Sequence, residues 1–119
     1  MAQMQPAHRV VPIDFHELVI SDYTAGCDVA ASLAVIDVAP GASHPRARST
    51  RSQKIYLGLR GTVDFTLESE GVDFAIAAND LLVIEPNEWF SYRNNHDELA
   101  QMVLVHVPPF TLDDEELTT

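Results

Sequence analysis

The single lysine of the chain, Lys54, is followed two residues later by Tyr56. Residues two places apart in a β-strand project from the same face, and a second such pair, Phe90 and Tyr92, occurs later in the chain. A lysine ammonium beside tyrosine hydroxyls can bind an anion. An amine whose pKa is lowered by burial can also act as a base or form an imine. Lys54 and Tyr56 are therefore the candidate catalytic residues.

Each of these side chains also has a purely structural interpretation. Lys54 is either a functional cation or the partner of a carboxylate. Tyr56 and Tyr92 are either hydroxyls that orient a ligand or packed aromatic rings, and Phe90 either fills apolar space or stacks on a planar ligand. With three further polar residues added, the predicted ligand-binding set is Ser49, Lys54, Tyr56, Phe90, Tyr92, His106 and Arg48.

Arg46, Arg48 and Arg51 form the one basic cluster of an acidic chain. Such a cluster is either an ordinary solvated segment paired with nearby acids or a gate for ligands that carry a carboxylate or phosphate. The sequence leaves both interpretations open.

The chain as a whole is predicted to be all-β, because short apolar runs bounded by turn residues recur at the regular spacing of a sandwich or barrel. The predicted strands are Val10–Ile13, Leu18–Ile20, Ala30–Val38, Ile55–Leu59, Thr62–Leu67, Val72–Ile76, Leu81–Ile84, Trp89–Arg93 and Leu99–Val107. Ile55–Leu59 is expected to pair with Thr62–Leu67 across Arg60 and Gly61. Ala42–Ser52, polar and rich in arginine, is predicted to be a loop or an irregular edge.

The last predicted strand has two different faces. Leu104 and His106 share one face, and Val103, Val105 and Val107 form the other. The valine face is predicted to be the drier of the two, and His106 is interpreted as an inward polar group.

Both ends of the chain differ from its middle. Residues 1–7 are polar and expected to be loose. Pro108 and Pro109 end the last strand, because proline cannot donate to the strand ladder. Thr111 followed three residues later by Asp114 then predicts a short capped helix over residues 111–117.

The stretch Pro40–Asn94 resembles the cupin family. The first cupin motif (Gly, five residues, His-x-His, three or four residues, Glu, six residues, Gly) fits without a gap from Gly41 to Gly61. The positions of the second motif are Asn79, Glu85, Asn87, Phe90 and Asn94. Asn79 and Asn87 stand where that motif has glycines, and asparagine is the residue that best replaces glycine at positive φ.

The resemblance implies a jelly-roll barrel, also called a double-stranded β-helix, in which the family's metal ligands are replaced. The ligand positions carry Ala47, Ser49, Lys54 and Phe90. Methyl, hydroxymethyl, ammonium and phenyl groups do not form the nitrogen and oxygen shell of a transition metal. We therefore expect a metal-free cupin without a cofactor, in which Lys54, Tyr56, Phe90 and Tyr92 point into the barrel and Gly58 opens space beyond them.

The five histidines suggest one rival metal site. None has the spacing of a metal-binding motif; they are His8, His16, His44, His96 and His106. His44 lies just before the first ligand position and His106 on the last strand, so these two are the candidates for a displaced metal site.

Length and charge limit the possible partners. The 119 residues suit a single cupin domain over residues 1–119, and the formal net charge of −11 disfavours nucleic acid and anionic membranes. The lone Cys27 fits a reducing compartment, and neither a signal peptide nor an apolar span is evident, so the sequence predicts a cytoplasmic protein. Cupin barrels commonly pair through an outer sheet, which implies a homodimer.

Two functional hypotheses follow. The first is a metal-independent cupin that binds a small organic molecule, including an anionic one, in the barrel. The alternative is a metal-free cupin enzyme of isomerase, epimerase or lyase type, which uses Lys54 and the tyrosines for proton transfer; the related metal-free isomerases use a histidine base, whose usual positions are empty of histidine here. A cavity of at least about 300 Å³ at Lys54 and a tyrosine favours ligand binding, and a solid barrel favours a structural role.

Overall fold

The computed structural model describes residues 1–118, and it consists of two antiparallel sheets that face each other. Eleven strands are present in the described residues: β1 Ile13–Phe15, β2 Leu18–Asp22, β3 Ser32–Val38, β4 Ser43–Ser49, β5 Gln53–Arg60, β6 Val63–Leu67, β7 Val72–Ile76, β8 Leu81–Ile84, β9 Phe90–Arg93, β10 Ala100–Val107 and β11 Glu115–Leu117. Two short 3₁₀ turns, Ala7–Arg9 and Leu112–Asp114, complete the secondary structure.

The six-stranded sheet has the order β1-β2-β3-β10-β5-β8, and the five-stranded sheet has the order β11-β4-β9-β6-β7. Neighbours in space are often distant in sequence, as in a jelly roll. The inward faces enclose the core, whose most deeply buried large side chains include Tyr56, Phe65, Phe90, Leu18 and Met102.

Strand alternation places the predicted site residues inside the barrel. Lys54 and Tyr56 on β5 are buried, and so are Phe90 and Tyr92 on β9. The prediction for β10 is only half correct. His106 is buried as an inward group, but the valine face is the outer and more exposed face of that strand rather than the drier one.

The turn chemistry of the motif matches its expected backbone. Gly41, Gly61, Asn79 and Asn87 all have positive φ, which explains why asparagine replaces glycine at the last two positions. Gly58 does not open a space, however. A Cβ atom at Gly58 would lie 2.1 Å from the carbonyl oxygen of Ala77, so the backbone of that neighbouring turn already fills the position.

Three predictions about elements are wrong. β5 and β6 do not pair with each other, because β5 lies between β10 and β8 in one sheet while β6 lies between β9 and β7 in the other. Of the two alternatives for Ala42–Ser52, a loop or an irregular edge, the loop is wrong: the segment contains β4, which pairs with β11 and, with a register shift between His44 and Ala47, with β9. The first strand begins at Ile13, where the prediction ended it.

The predicted C-terminal helix is also absent. Residues 111–117 form the short turn Leu112–Asp114 and the edge strand β11. The backbone of β11 pairs with β4, Glu116 forms an ion pair with Arg48 of β4, and Asp114 forms one with Arg51 just after that strand. These tertiary contacts override the local capping signal. We call residues 108–118 the C-terminal strap, because they run from β10 in one sheet to β4 in the other.

Within residues 1–118, the model contains no helix with the length and apolar character needed to span a bilayer.

Candidate functional site

Lys54 lies inside the barrel and is paired with a residue of the strap. Its ammonium nitrogen is 2.5 Å from Oε1 of Glu115 and 4.7 Å from the centre of the Phe90 ring, and the side chain of Lys54 is 4% exposed. Burial lowers the pKa of Lys54 from its ordinary value, and the Glu115 carboxylate partly offsets that shift. Of the two interpretations of Lys54, the carboxylate partner is the one that the geometry supplies.

Tyr56, Phe90 and Tyr92 belong to a packed aromatic cluster in the barrel interior. The ring centres of Tyr56 and Tyr92 are 5.9 Å apart, and Phe65 packs 4.9 Å from Tyr56 and 4.7 Å from Tyr92. Burial raises the pKa of Tyr56 and of Tyr92 well above the ordinary tyrosine value, so both phenols are neutral at physiological pH. This part of the barrel is solid.

The hydroxyl of Tyr92 is buried and has no hydrogen-bond partner in the structure. Leaving a buried hydroxyl unpaired costs about 1–3 kcal/mol. A buried polar atom without a partner therefore marks a place where a ligand or a side-chain movement would supply the missing contact.

His44 packs against this cluster at the entrance of the barrel. Its ring centre is 5.1 Å from that of Tyr92, 5.2 Å from that of Phe90 and 5.4 Å from that of Phe15. Its Nδ1 is 2.7 Å from the carbonyl oxygen of Pro45, and because a carbonyl only accepts, Nδ1 carries the proton. The neutral ring therefore has an unprotonated Nε2.

The pKa of His44 is lowered to about 4. Burial is the main cause, the hydrogen bond to Pro45 acts in the opposite direction, and the nearby Lys54 charge adds to the lowering. His44 is consequently neutral throughout the physiological range.

A cavity of about 340 Å³ opens beside His44. Its walls come from β1, β2, β4 and the strap, and its lining residues include Phe15, Ile20, His44, Phe110 and Glu115. The cavity has the size expected for a small-molecule site. Neither Lys54 nor a tyrosine lines this cavity, so it is not the cavity that the sequence analysis named as the criterion for ligand binding. His44 and Glu115, the carboxylate that pairs with Lys54, line it instead.

Ser49 and His106 are joined through Ser52. The hydroxyls of Ser49 and Ser52 are 2.7 Å apart, and the Ser52 hydroxyl is 2.9 Å from Nδ1 of His106. All three residues are buried. Burial and the Lys54 charge lower the pKa of His106 to about 3, so this ring is neutral as well.

The arginine cluster lies outside the barrel and holds the strap. Arg48 pairs with Glu116 at 2.9 Å and Arg51 with Asp114 at 3.3 Å, while Arg46 pairs with Glu68. Each arginine therefore has an acidic partner in this structure. Of the two interpretations of the cluster, the solvated segment paired with acids is the one that the contacts support.

Comparison with known proteins gives the family. The protein-family model described as the cupin domain matches residues 34–107 of this chain. This chain belongs to the cupin family. No curated protein sequence matches the chain.

Solved structures share the cupin fold with this chain. A histidine-to-glutamine variant of Streptomyces Pac13, solved with uridine, is 21% identical and has a TM-score of 0.85, and the match covers 100% of this chain and 92% of that one. Pac13 is described as a nucleoside dehydratase. A predicted oxalate decarboxylase from Thermotoga maritima is 17% identical with a TM-score of 0.77, and the match covers 89% of this chain and 99% of that one. Identities this low show the fold alone.

The metal-ligand positions of the cupin motif do not suit a metal in this member of the family. Phe90 is fully buried, the Lys54 ammonium lies over its ring, and Ser49 is engaged by Ser52. Among residues 1–118, no three His, Cys, Asp or Glu side chains lie close enough together to hold a metal ion, which leaves the proposed pair His44 and His106 without a third ligand there.

Two side chains of the candidate site differ from the sequence-based prediction: His44 has a different role there, and Glu115 is not predicted at all. His44 was considered only as a displaced metal ligand, although its position directly before the motif's first ligand is the signal that puts it at the barrel entrance. Glu115 has no signal in the sequence, because the acidic run around it favours a helix terminus and its partner Lys54 is 61 positions away.

Proposed function

We propose that this cupin is a metal-independent lyase of dehydratase type, with His44 as its general base. Its ligand is a small organic molecule that carries a hydroxyl and a carbonyl group and occupies the cavity beside His44. This proposal keeps the enzyme class predicted as the alternative from sequence, but it moves the proton-transfer role from Lys54 to His44.

The state of His44 is the observation that carries the proposal. Pro45 fixes the proton on Nδ1, so the Nε2 lone pair is free to accept a proton, and the ring lines a cavity of ligand size. A general base needs this combination of a fixed tautomer and access to the ligand. Lys54 offers neither a free lone pair nor access to the ligand, because its ammonium is paired with Glu115 and its side chain does not line the cavity.

The proposed reaction needs no further reactant. His44 removes a proton from the carbon next to the carbonyl, the electron pair forms a carbon–carbon double bond, and hydroxide leaves from the adjacent carbon. The imidazolium returns its proton to the hydroxide, which departs as water. His44 ends in its starting state, and nothing is oxidised or reduced.

The charges around the cavity favour an uncharged ligand over an anionic one. The Lys54 ammonium is neutralised by Glu115, and the neighbouring Arg48 is neutralised by Glu116. The Glu115 carboxylate itself lines the cavity, so a second carboxylate or a phosphate there would meet a like charge.

The residues replaced in the Pac13 structures support this proposal. The Pac13 variants solved with uridine replace a histidine and two tyrosines. The same residue types occur here as His44, Tyr56 and Tyr92: the His44 ring packs on Tyr92, and Tyr92 packs on Tyr56 in the barrel interior.

The test incubates chelator-treated protein with a panel of small β-hydroxy aldehydes and ketones. Mass spectrometry of the small molecules then detects the loss of water. The wild type and the variant His8→Gln, which changes an exposed histidine, are expected to turn over the same panel member. His44→Gln is expected to lose about 100-fold or more of the rate. Saturable binding without turnover would reject the lyase and support a binding module, and equal rates for His44→Gln would reject the base.

A further inference from the structure

A second, smaller cavity adjoins the cavity beside His44, and we call it the inner lobe. This lobe has a volume of about 120 Å³ and shares Ile13, Ile20 and Phe110 with the larger cavity. Its wall also includes Leu104 and two buried polar residues, Ser32 and His106. The two cavities thus lie on neighbouring parts of the same wall, with His44 in one and His106 in the other.

The hydrogen bonds that link Ser49, Ser52 and His106 can have their donors and acceptors in only one order. The Ser49 hydroxyl oxygen already accepts the backbone N–H groups of Ser52, at 3.0 Å, and of Arg51, at 3.4 Å. Its own proton is therefore donated to the Ser52 hydroxyl, which in turn donates to Nδ1 of His106. The reverse direction would place three donors on one serine oxygen and leave a buried hydroxyl proton unpaired.

This direction fixes the tautomer of His106. Because Nδ1 accepts from Ser52, the neutral ring carries its proton on Nε2. The ring of His106 can thus offer only a donor to a ligand. His44 has the opposite tautomer, with an unprotonated Nε2.

Ser32 adds a second donor to the same lobe. Its hydroxyl oxygen accepts the backbone N–H of Phe110 at 2.8 Å, which leaves the hydroxyl proton available. The rest of the wall is apolar except for Asp22, whose Oδ1 accepts hydrogen bonds from Thr24, and the apolar part consists of Ile13, Ile20, Ala34, Leu104 and Phe110. The lobe thus combines an apolar wall with two donors, and such a site fits a flat apolar group that carries acceptor oxygens.

We propose that the inner lobe binds a neutral planar ring bearing carbonyl oxygens, such as a pyrimidine base, and that His106 donates from Nε2 to one of these oxygens. The proposal deepens the proposed function, on which it rests: the ring is the recognition part of the molecule whose hydroxyl-bearing part lies at His44. His106 and Ser32 are then specificity-determining residues. The lobe, at about 120 Å³, is somewhat smaller than the apolar cavity of about 150 Å³ that holds benzene in another protein, so it has room for one six-membered ring at most.

The test uses uracil as the probe and toluene as a probe of similar shape without acceptors. In ¹⁵N-detected NMR of the full chain at neutral pH, His106 should show the Nε2–H tautomer. Uracil should shift the Nε2–H proton downfield, whereas toluene should not. The variant Ser52→Ala should give a mixture of tautomers and weaker uracil binding, because Ser52 no longer donates to Nδ1.

Binding of uracil to His106→Leu should be about tenfold weaker or worse, the loss expected for one hydrogen bond to a ligand. Binding to His96→Gln, which changes an exposed histidine, should be unchanged. The Nδ1–H tautomer, an unmoved Nε2–H signal, or equal binding of toluene would overturn the proposal. His44→Gln should still bind uracil, so loss of the base and loss of the ring site are separate results.

Discussion

At the scale of single residues, Tyr92 has the least satisfied environment in the barrel. Its hydroxyl is buried without a hydrogen-bond partner, and its ring packs 5.1 Å from His44. Tyr92→Phe removes that hydroxyl and keeps the ring. We expect the free energy of unfolding to stay the same or to rise by about 1 kcal/mol, because no hydrogen bond is lost and an unpaired polar group is removed.

The same substitution should lower turnover of the panel substrate if the hydroxyl serves a ligand. Chemical denaturation and initial rates on one preparation give both readouts, and Tyr23→Phe, outside the barrel core, is the control. A fall in stability together with unchanged turnover would show that the hydroxyl has a structural partner and no role in the site.

The sequence predicts which side chains enter the barrel but not what they contact. Strand period places Lys54, Tyr56, Phe90 and Tyr92 correctly, because a single face must be buried and the pattern allows one register. The partners of these residues come from distant segments. Glu115 reaches Lys54 from the strap, and no local pattern specifies such a contact.

At the scale of elements, the C-terminal strap is held to the barrel by one buried ion pair and several exposed ones. Lys54→Met removes the buried cation and strands the Glu115 carboxylate. We expect a loss of about 1–3 kcal/mol in the free energy of unfolding, the cost of an unsatisfied buried group, limited because β11 is an edge strand that can move its carboxylate into water.

The paired variant Lys54→Met with Glu115→Leu should recover most of that loss, and hydrogen exchange at residues 115–117 should be faster in the single variant than in the double. Arg51→Met removes an exposed pair from the same strap and serves as the control. Full stability of the single variant would mean that Lys54 and Glu115 are not coupled.

The two elements that the sequence missed, β4 and β11, depend on each other. β4 carries two arginines in a polar segment, which is typical of a loop, and β11 carries two glutamates, which favour a helix. Neither has an apolar alternation that identifies a strand by itself. Their pairing satisfies both the backbones and the charges, and this information lies in two segments far apart in sequence.

At the scale of the whole molecule, the two buried neutral histidines make stability depend on pH. The pKa values of His44 and His106 are about 4 and about 3 in the folded chain, below the ordinary 6.5. As the pH falls below 6.5 the unfolded chain binds protons that the folded chain does not, so the folded state loses stability until the folded pKa is reached. Each histidine contributes up to about 1.4 kcal/mol per pH unit to the slope of the free energy of unfolding against pH.

Urea unfolding at pH 6.0, 5.5 and 5.0 measures this slope before most carboxylates titrate, at about pH 4. His44→Gln and His106→Gln should each lower the slope by about half, and His8→Gln should leave it unchanged. A wild-type slope near zero in this range would show that the two rings are protonated or solvated in the folded protein.

The outer face of the six-stranded sheet supports the predicted homodimer. It presents partly exposed apolar side chains on adjacent strands, which are Leu33, Leu57, Leu81, Val83 and Val107. The corresponding face of the other sheet carries polar residues such as Asp64, Thr66 and Ser91. An apolar patch spanning several strands marks an interface, and a second copy offers the same neutral patch.

We expect a mass near twice 13.1 kDa by light scattering, and a monomer for Leu57→Glu on the apolar face. Thr66→Glu on the polar face should remain dimeric. A monomer of the wild type across the whole concentration series would reject the dimer.

The most direct test of the central claim, that His44 is a metal-independent base, is deuterium uptake. Small β-hydroxy ketones are incubated in D₂O with chelator-treated protein, and NMR follows exchange at the carbon next to the carbonyl. The wild type should catalyse exchange without added metal, and His44→Gln should reduce the rate by about 100-fold or more. Equal exchange by both proteins, or exchange by the wild type only after a divalent metal is added, would contradict the account.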